Sequence, residues 1–181
     1  MSETLQSQAF EAALIIPVPE AEVLVGDFRE RFDPSAIVGV PAHITINYPF
    51  TPHFSRPAKA HVNLSTFLAN FPQFSFTLSE IRSFPDVLYL APEPEQQFLT
   101  LIESVASIFP DSPPYGGQFE KPTPHLTIAQ QDKSMIPSIQ MEFAKRTLQA
   151  LPIKSHVKEL WLMDNLSNYW TTRAVFPLKP V

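Results

Sequence analysis

Short runs of apolar and alternating residues along the chain predict β-strands. Residues 12–18 are apolar throughout, as expected of a short buried strand. Residues 74–78 alternate Phe and Leu with small polar side chains, which indicates a strand with one face buried. Together the extended runs predict strands at residues 12–18, 43–46, 74–84, 87–90, 125–128, 153–163 and 169–178.

Apolar residues at helical spacing predict four helices between these strands. The first begins at Pro19, carries acidic residues in its first turn and ends at Asp33-Pro34. The third has the clearest amphipathic face, with Phe98, Leu101 and Val105 on one side. The helical segments are residues 19–33, 62–68, 98–109 and 139–148, and a proline-rich loop with His53 and Arg56 precedes the second.

Two segments share the order His, apolar, Thr, apolar, namely residues 43–46 and residues 125–128. Because side chains alternate on a strand, each segment presents its His and Thr on one face and its aliphatic residues on the other. The two histidines are 82 positions apart, close to half the chain of 181 residues. This spacing indicates a duplication, with the motifs meeting at the centre of two similar lobes.

The predicted organisation is a single domain, residues 1–181, made of two pseudo-symmetric lobes. The lobes cover about residues 1–90 and 91–181 and are partly intertwined. A hydrophobic content of 44% and a charged content of 17% are typical of a globular chain. The duplicated order of strand, helix and paired strands gives an α+β fold class.

Composition narrows the possible partners. The formal net charge of −5 argues against tracking of a long nucleic-acid duplex. The chain has no cysteine, which excludes disulfides, thiolate zinc sites and a cysteine nucleophile. No basic and apolar leader opens the chain, and its apolar runs are shorter than the roughly 20 residues of a membrane span. We therefore expect a cytoplasmic, soluble protein that does not bind membranes and acts as a monomer.

The duplicated His/Thr pairs predict a metal-free site for phosphate chemistry. Hydrolysis of a phosphodiester needs a base for water, an acid for the leaving oxygen and donors for the phosphate oxygens. His43 and His125 would supply the first two, and the hydroxyls of Thr45 and Thr127 the third. Which histidine is the base is left open. Neither motif has a carboxylate at ligand spacing, so we expect no metal and no cofactor.

These motifs resemble those of the 2H phosphoesterases, also called the 2′-5′ RNA ligase or cyclic phosphodiesterase superfamily, whose signature is two His-x-Thr/Ser-x motifs. The resemblance is carried by residues 13–17, 41–50, 116–117 and 124–129. It implies a bilobal α+β fold, with antiparallel sheets lining a central cleft and helices outside. It also implies that His43 and His125 are catalytic and that Thr45 and Thr127 contact the phosphate.

Other polar and aromatic residues have a structural interpretation beside the functional one. Three histidines are expected at the surface or in structural roles: His53, His61 and His156. Two cations that could hold phosphate are expected to be solvated: Arg56 and Lys121. Four aromatic residues could stack a base but are expected to pack: Tyr48, Phe50, Tyr115 and Trp170. The pair Gly116-Gly117 permits either a mobile lid or a plain turn.

The sequence therefore predicts a metal-independent phosphoesterase that acts on 2′,3′-cyclic phosphate or 2′-5′ phosphodiester bonds. Its substrate would be a small nucleotide or an RNA terminus. One alternative is a module that binds nucleotides or RNA ends without turnover. Another is a 2′-5′ ligase of RNA repair.

Overall fold

The computed structural model describes residues 10–181, and within them eight strands form one sheet that packs against helices. The strands are β1 (Ala12–Pro17), β2 (His43–Asn47), β3 (Phe74–Ser83), β4 (Val87–Glu93), β5 (Leu126–Gln130), β6 (Ile153–Val157), β7 (Glu159–Asp164) and β8 (Thr171–Pro177). The helices are α1 (Pro19–Phe32), α2 (Pro34–Ile37), α3 (Pro52–Ser55), α4 (Pro57–Leu68), α5 (Gln96–Ile108) and α6 (Ile136–Thr147). The predicted α+β class is confirmed.

The strand order is β6-β3-β4-β5-β2-β1-β7-β8, and the seven strand pairs are antiparallel. Four strands lie on each side of the boundary between β5 and β2, the two strands of the repeated motifs. On one side, β1 and β2 lie beside the C-terminal strands β7 and β8, so this side combines the two ends of the described chain. The division into lobes 1–90 and 91–181 stays a prediction.

The core lies between the sheet and the helices because the central strands alternate as their sequences predict. Ile44 of β2 and Leu126 of β5 are fully buried in the main hydrophobic cluster. Helix α1 packs against β5 and α5 packs against β2. Burial of each aliphatic side chain contributes about 1.5–3 kcal/mol. The opposite face of the same strands is left for polar residues, and this face forms the cleft.

The predicted strand over residues 153–163 is wrong, because the chain forms two strands there. β6 pairs with β3 and β7 pairs with β1, with Lys158 alone between them. In a flat sheet these strands would be about six spacings, or roughly 29 Å, apart. Two peptide steps span only about 7 Å. The sheet must therefore curl until β6 at one end lies beside β7, and a hydrogen bond from Leu178 N to Lys158 O (2.8 Å) holds this junction.

The proline-rich loop predicted after β2 is partly helical, since residues 52–55 form α3. His53, on this helix, donates from Nε2 to Asp164 Oδ2 (2.8 Å). Arg173 Nε donates to Asp164 Oδ1 (2.8 Å), and so does the backbone N–H of Leu166 (3.2 Å). Asp164 is fully buried, so this cluster joins α3, β7 and β8, and His53 has a structural role.

Asp164 provides a test of this junction. Burial by itself raises the pKa of its carboxyl, but hydrogen bonds from His53 and Arg173 outweigh burial and lower the pKa below its ordinary value. A lowered folded-state pKa contributes stability that is present above the unfolded pKa of about 4 and lost as the pH falls through the folded value. Asp164→Asn should therefore reduce the free energy of unfolding by about 2–3 kcal/mol at pH 7.

Urea denaturation at several pH values measures this difference, which should shrink below about pH 4. Asp111→Asn is the matched control because it removes the same charge from an exposed ion pair with Arg56 (2.9 Å). The control substitution should lower the free energy of unfolding by less than about 1 kcal/mol. Equal losses for the two variants, or a loss for Asp164→Asn that does not depend on pH, would contradict the structural role of the cluster.

Candidate active site

The two His/Thr motifs meet at the centre of the sheet. Ile44 and Leu126 are partners in the antiparallel pair of β2 and β5. This register, extended by one residue in each direction, sets each histidine across from the threonine of the other strand: His43 across from Thr127, and His125 across from Thr45. All four side chains are partly exposed on the cleft face. Directly opposed residues have Cβ atoms about 4.5–5.5 Å apart, so the four groups can contact one small ligand.

Both imidazoles are held in the same orientation. His43 Nδ1 lies 2.8 Å from Pro41 O, and His125 Nδ1 lies 2.7 Å from Thr123 O. A carbonyl oxygen can only accept, so each Nδ1 carries the hydrogen. Each Nε2 is then the basic nitrogen, which is the arrangement required for proton transfer to or from a ligand. The repeated sequence thus produces a repeated hydrogen bond, from the histidine to the carbonyl two residues before it.

A buried ion pair lies behind His43. Arg29, in the last turn of α1, and Asp33, the residue directly after this helix, are each 2% exposed and are joined by a 3.0 Å contact between Nε and Oδ2. Arg29 Nη2 also donates to Ser35 Oγ (3.2 Å) and to Val40 O (3.0 Å). These contacts fix the chain as it approaches β2, and they place a permanent positive charge near His43.

The residues directly before β2 are held by hydrogen bonds to two other parts of the chain. Glu22 Oε1 accepts a hydrogen bond from Ala42 N, and Ala42 O accepts one from Val18 N (2.8 Å). Between Val40 and Ala42 lies Pro41, whose carbonyl orients the His43 ring. The orientation of His43 therefore depends on α1 as well as on its own strand.

His125 has a different environment, which is aromatic. The rings of Phe84 and Tyr89 each lie edge-on to His125 at a centroid distance of 5.4 Å. These two rings stack on each other at 4.6 Å. Tyr89 is also the β-partner of Thr127, so the aromatic pair flanks the whole second motif.

Both histidines have lowered pKa values. Burial is the main cause of the lowering of the His43 pKa to about 4, the Arg29 charge lowers it further, and the hydrogen bond to Pro41 acts against both. Burial also lowers the pKa of His125, and the hydrogen bond to Thr123 partly offsets this effect. In the free protein at neutral pH the two rings are therefore uncharged. A phosphate anion bound between them would raise both pKa values.

The structure brings together the four motif residues, with Tyr115 beside Thr45, and places the other candidates elsewhere. His61 lies against Phe176 with ring centroids 5.0 Å apart, and His156 is hydrogen-bonded to Ser75 of β3 and to Gln73, which directly precedes that strand. The remaining candidates sit on the surface or in the core: Arg56 pairs with Asp111, Lys121 is exposed, and Phe50 is fully buried. Tyr48 pairs with Trp170, with ring centroids 6.3 Å apart.

Sequence reasoning missed the surroundings of the motifs. Arg29 and Asp33 have the spacing of a helical ion pair, and this signal was available, but nothing local shows that the pair is buried behind β2. Phe84 and Tyr89 belong to a predicted hairpin whose partner strand could not be read from the sequence. Tyr115 precedes Gly116-Gly117, and its phenol lies against Thr45.

Within residues 10–181, no group of three or more His, Asp or Glu side chains is arranged to hold a metal ion. The same residues contain no helix with the length and apolar character needed to cross a membrane.

The shared imidazole orientation can be tested by NMR. Long-range ¹H–¹⁵N spectra should show His43 and His125 as the tautomer with hydrogen on Nδ1, because each Nδ1 faces a carbonyl. On acidification His43 should titrate near pH 4 and His125 below 6.5. His43→Gln and His125→Gln spectra would assign the signals. A hydrogen on Nε2 of either ring at neutral pH would contradict the proposed orientation.

Comparisons with known proteins agree with this architecture. The fold resembles that of E. coli LigT complexed with NADP+ (TM-score 0.58, 20% identity, 96% of this chain and 99% of LigT covered). It also resembles a crystal structure described as phosphoesterase, with a TM-score of 0.57, 18% identity, and 94% of this chain and 99% of that chain covered. TT0787 of Thermus thermophilus is similar as well, with a TM-score of 0.54, 17% identity, and 94% of this chain and 98% of that chain covered. No curated protein sequence matches the chain. The family model of the 2′-5′ RNA ligase superfamily matches residues 17–168, and the chain belongs to this superfamily.

Proposed function

We propose that this protein is a metal-independent phosphoesterase that hydrolyses 2′,3′-cyclic phosphate or 2′-5′ phosphodiester bonds. The observation that supports the proposal is the pair of imidazoles on opposed strands, each with Nδ1 bound to a carbonyl and Nε2 basic. In hydrolysis, one Nε2 takes a proton from water as the water oxygen attacks phosphorus. The other imidazolium gives its proton to the ribose oxygen as the phosphorus–oxygen bond breaks.

The environments of the two rings support a proposal for which of them carries the proton in the singly protonated pair. Burial and the Arg29 charge, partly offset by Asp33, lower the pKa of His43 to about 4, whereas burial lowers the pKa of His125 without a comparable cation beside it. The shared proton therefore resides mainly on His125, which makes His43 the base for water and His125 the acid for the leaving oxygen. Thr45 and Thr127 offer one hydroxyl each to the phosphate oxygens as negative charge grows in the transition state.

The proposed substrate is a small nucleotide or an RNA terminus. A cavity of about 320 Å³ adjoins the entry to β2, and it is lined by Pro17, Pro41 and Trp161 together with Lys158 and three carboxylates, Glu20, Glu22 and Glu159, but by none of the four site residues. Pro17 is the β-partner of His43, so the cavity begins beside the site. E. coli LigT structures were determined with 3′-AMP and with ATP. We propose ligands of this chemical class for the present chain.

A binding module without turnover would use the same cleft and is the alternative that the experiments must separate. Such a module needs donors for a ground-state phosphate but does not need two orientated bases. Retention of both histidines and both threonines favours catalysis. A 2′-5′ ligase would run the same proton transfers in reverse, so it is distinguished by the direction of reaction that is measured.

Replacement of the histidines tests their roles. His43→Ala and His125→Ala should each lower kcat for a 2′,3′-cyclic nucleotide by about 10²–10⁴-fold, because each ring transfers a proton. A phosphodiester with a 4-nitrophenolate leaving group needs no acid, so this substrate should restore much of the activity of His125→Ala and little of that of His43→Ala. His61→Ala is the control and should retain wild-type turnover.

Two results would count against this assignment. Near-wild-type kcat in either variant would exclude the two-histidine mechanism. Wild-type protein that binds a non-hydrolysable nucleotide in calorimetry but turns over no cyclic nucleotide, 2′-5′ dinucleotide or cyclic-phosphate RNA end would support the binding module.

The pH dependence follows from the lowered pKa values. In free enzyme the base must be neutral and the acid protonated, so kcat/KM should be bell-shaped with its maximum on the acid side of pH 6.5. The optimum of kcat should lie higher, because the bound phosphate raises the pKa of the protonated histidine. EDTA should leave the rates unchanged. Loss of activity in EDTA with recovery on addition of zinc or manganese would indicate a metal-dependent reaction instead.

A further inference from the structure

His125 has less support from backbone pairing than His43 has. β5 begins at Leu126, so His125 directly precedes the strand. His43, by contrast, belongs to β2 and is the β-partner of Pro17. The carbonyl that orients the His125 ring belongs to Thr123, which is exposed and lies in an irregular segment. Side chains must therefore contribute to holding the His125 ring in place.

Two aromatic side chains are placed to provide this support. The rings of Phe84 and Tyr89 each lie 5.4 Å from the His125 ring, centroid to centroid, with interplanar angles of 88° and 61°. Phe84 and Tyr89 stack on each other at 4.6 Å with an angle of 27°. Edge-to-face and stacked arrangements are the geometries that aromatic rings prefer. Two contacts from one stacked unit restrict rotation of the imidazole about its side-chain bonds.

The hairpin of β3 and β4 fixes this aromatic pair. Tyr89 lies on β4, where its β-partners are Arg82 of β3 on one side and Thr127 of β5 on the other. Its side chain is only 5% exposed although it shares the cleft face with Thr127. Phe84 directly follows β3, is half-buried, and donates its backbone N–H to Val87 O at 2.8 Å. The pair is therefore anchored in the interior of the sheet.

Phe84 and Tyr89 shield His125 without placing a charge beside it. Burial is the main cause that lowers the pKa of the His125 imidazole. Of its titratable neighbours, Tyr89 is in ring contact and His43 lies on the neighbouring strand. Burial also raises the pKa of the Tyr89 phenol, with Arg82 and Glu95 acting on it in opposite directions, so this phenol is uncharged at neutral pH.

We propose that Phe84 and Tyr89 are positioning residues, which hold the His125 imidazole with its Nε2 directed at the substrate phosphate and exclude water from one side of the ring. A general acid or base must lie within hydrogen-bond reach of the oxygen it serves, so an imidazole that could rotate would lose rate. Tyr89 acts here through its ring and not through its hydroxyl. The inference rests on the proposed phosphoesterase function.

Substitution of the aromatic pair tests this role. Phe84→Ala removes the half-buried ring, and Tyr89→Leu replaces the second ring with an aliphatic side chain. Each should lower kcat for a 2′,3′-cyclic nucleotide about 5- to 20-fold with little change in KM, because His125 is displaced while the threonine hydroxyls are not. Tyr89→Phe keeps the ring and should stay within about two-fold of wild type.

Phe54→Ala is the matched control. It removes an exposed ring that lies against a histidine outside the site, His53, at a centroid distance of 4.8 Å. This variant should leave kcat within about two-fold of wild type. A loss equal to that of Phe84→Ala would show that removal of any surface ring lowers the rate, and it would overturn the positioning role.

The leaving group identifies which histidine the rings act on. On the 4-nitrophenyl phosphodiester, the losses of Phe84→Ala and Tyr89→Leu should follow those of His125→Ala and not those of His43→Ala. With His125 as the acid, both variants recover most of their activity on this substrate, which a general loss of packing does not produce. Losses that follow His43→Ala overturn the role. A raised KM with unchanged kcat also overturns it, because the rings would then contact the substrate itself.

NMR of the histidines keeps this inference separate from the proposed function. In wild-type protein, NOE contacts should join the His125 ring to both aromatic rings. In Phe84→Ala and Tyr89→Leu, the pKa of His125 should rise towards 6.5 because water reaches the ring, while that of His43 stays at about 4. If these changes occur but no substrate is turned over, the proposed function is wrong and the support of His125 by the two rings stands.

Unchanged titration of His125 in both variants, with kcat within about two-fold of wild type, overturns the inference. Thermal melts establish that each variant is folded. Tyr89 is buried, so Tyr89→Leu is the variant at risk of unfolding. Phe84→Ala changes a half-buried side chain and carries the test in that case.

Discussion

The pairing of β2 with β5 is the constraint on which the candidate site depends. Ile44 and Leu126 are fully buried partners in this antiparallel pair, and each is flanked by a histidine and a threonine. A slip of one residue in either strand would bury the polar residues and expose the aliphatic ones, because side chains alternate along a strand. The buried aliphatic pair therefore sets the register, and the register sets the distance between the imidazoles.

The surroundings make two equivalent motifs inequivalent. His43 lies near the buried Arg29, and the segment that orients its ring is held by α1. His125 lies against a stacked pair of aromatic rings, and its orienting carbonyl belongs to the exposed Thr123. The proposed acid/base chemistry needs one neutral and one protonated group, and a difference of this kind would divide those two roles. A duplicated motif supplies two similar groups, and the unduplicated parts of the chain supply the difference.

Curling of the sheet brings strands that are far apart in the strand order close together. The single residue Lys158 between β6 and β7 forces the edge strand β6 close to β7, and the Leu178 N–H donates a hydrogen bond to the carbonyl of the same residue. The apolar pattern over residues 153–163 predicts one strand because both β6 and β7 are extended and half-buried. The position of the break depends on which strands each half pairs with, namely β3 and β1. That information lies in distant segments.

The sequence by itself determined most of the elements and which residues form the two motifs. Apolar residues at period two and period 3.6 located most strands and helices, and the repeated His/Thr order identified the four cleft residues, because both signals arise between near neighbours in the chain. Tertiary structure alone decided what surrounds those residues. Arg29 precedes His43 by 14 positions and Tyr115 follows Thr45 by 70, so their contacts exist only after α1 and the Pro114–Gly117 turn pack on β2. Burial and charge at His43, and the phenol at Thr45, are properties of that packing, which no local pattern encodes.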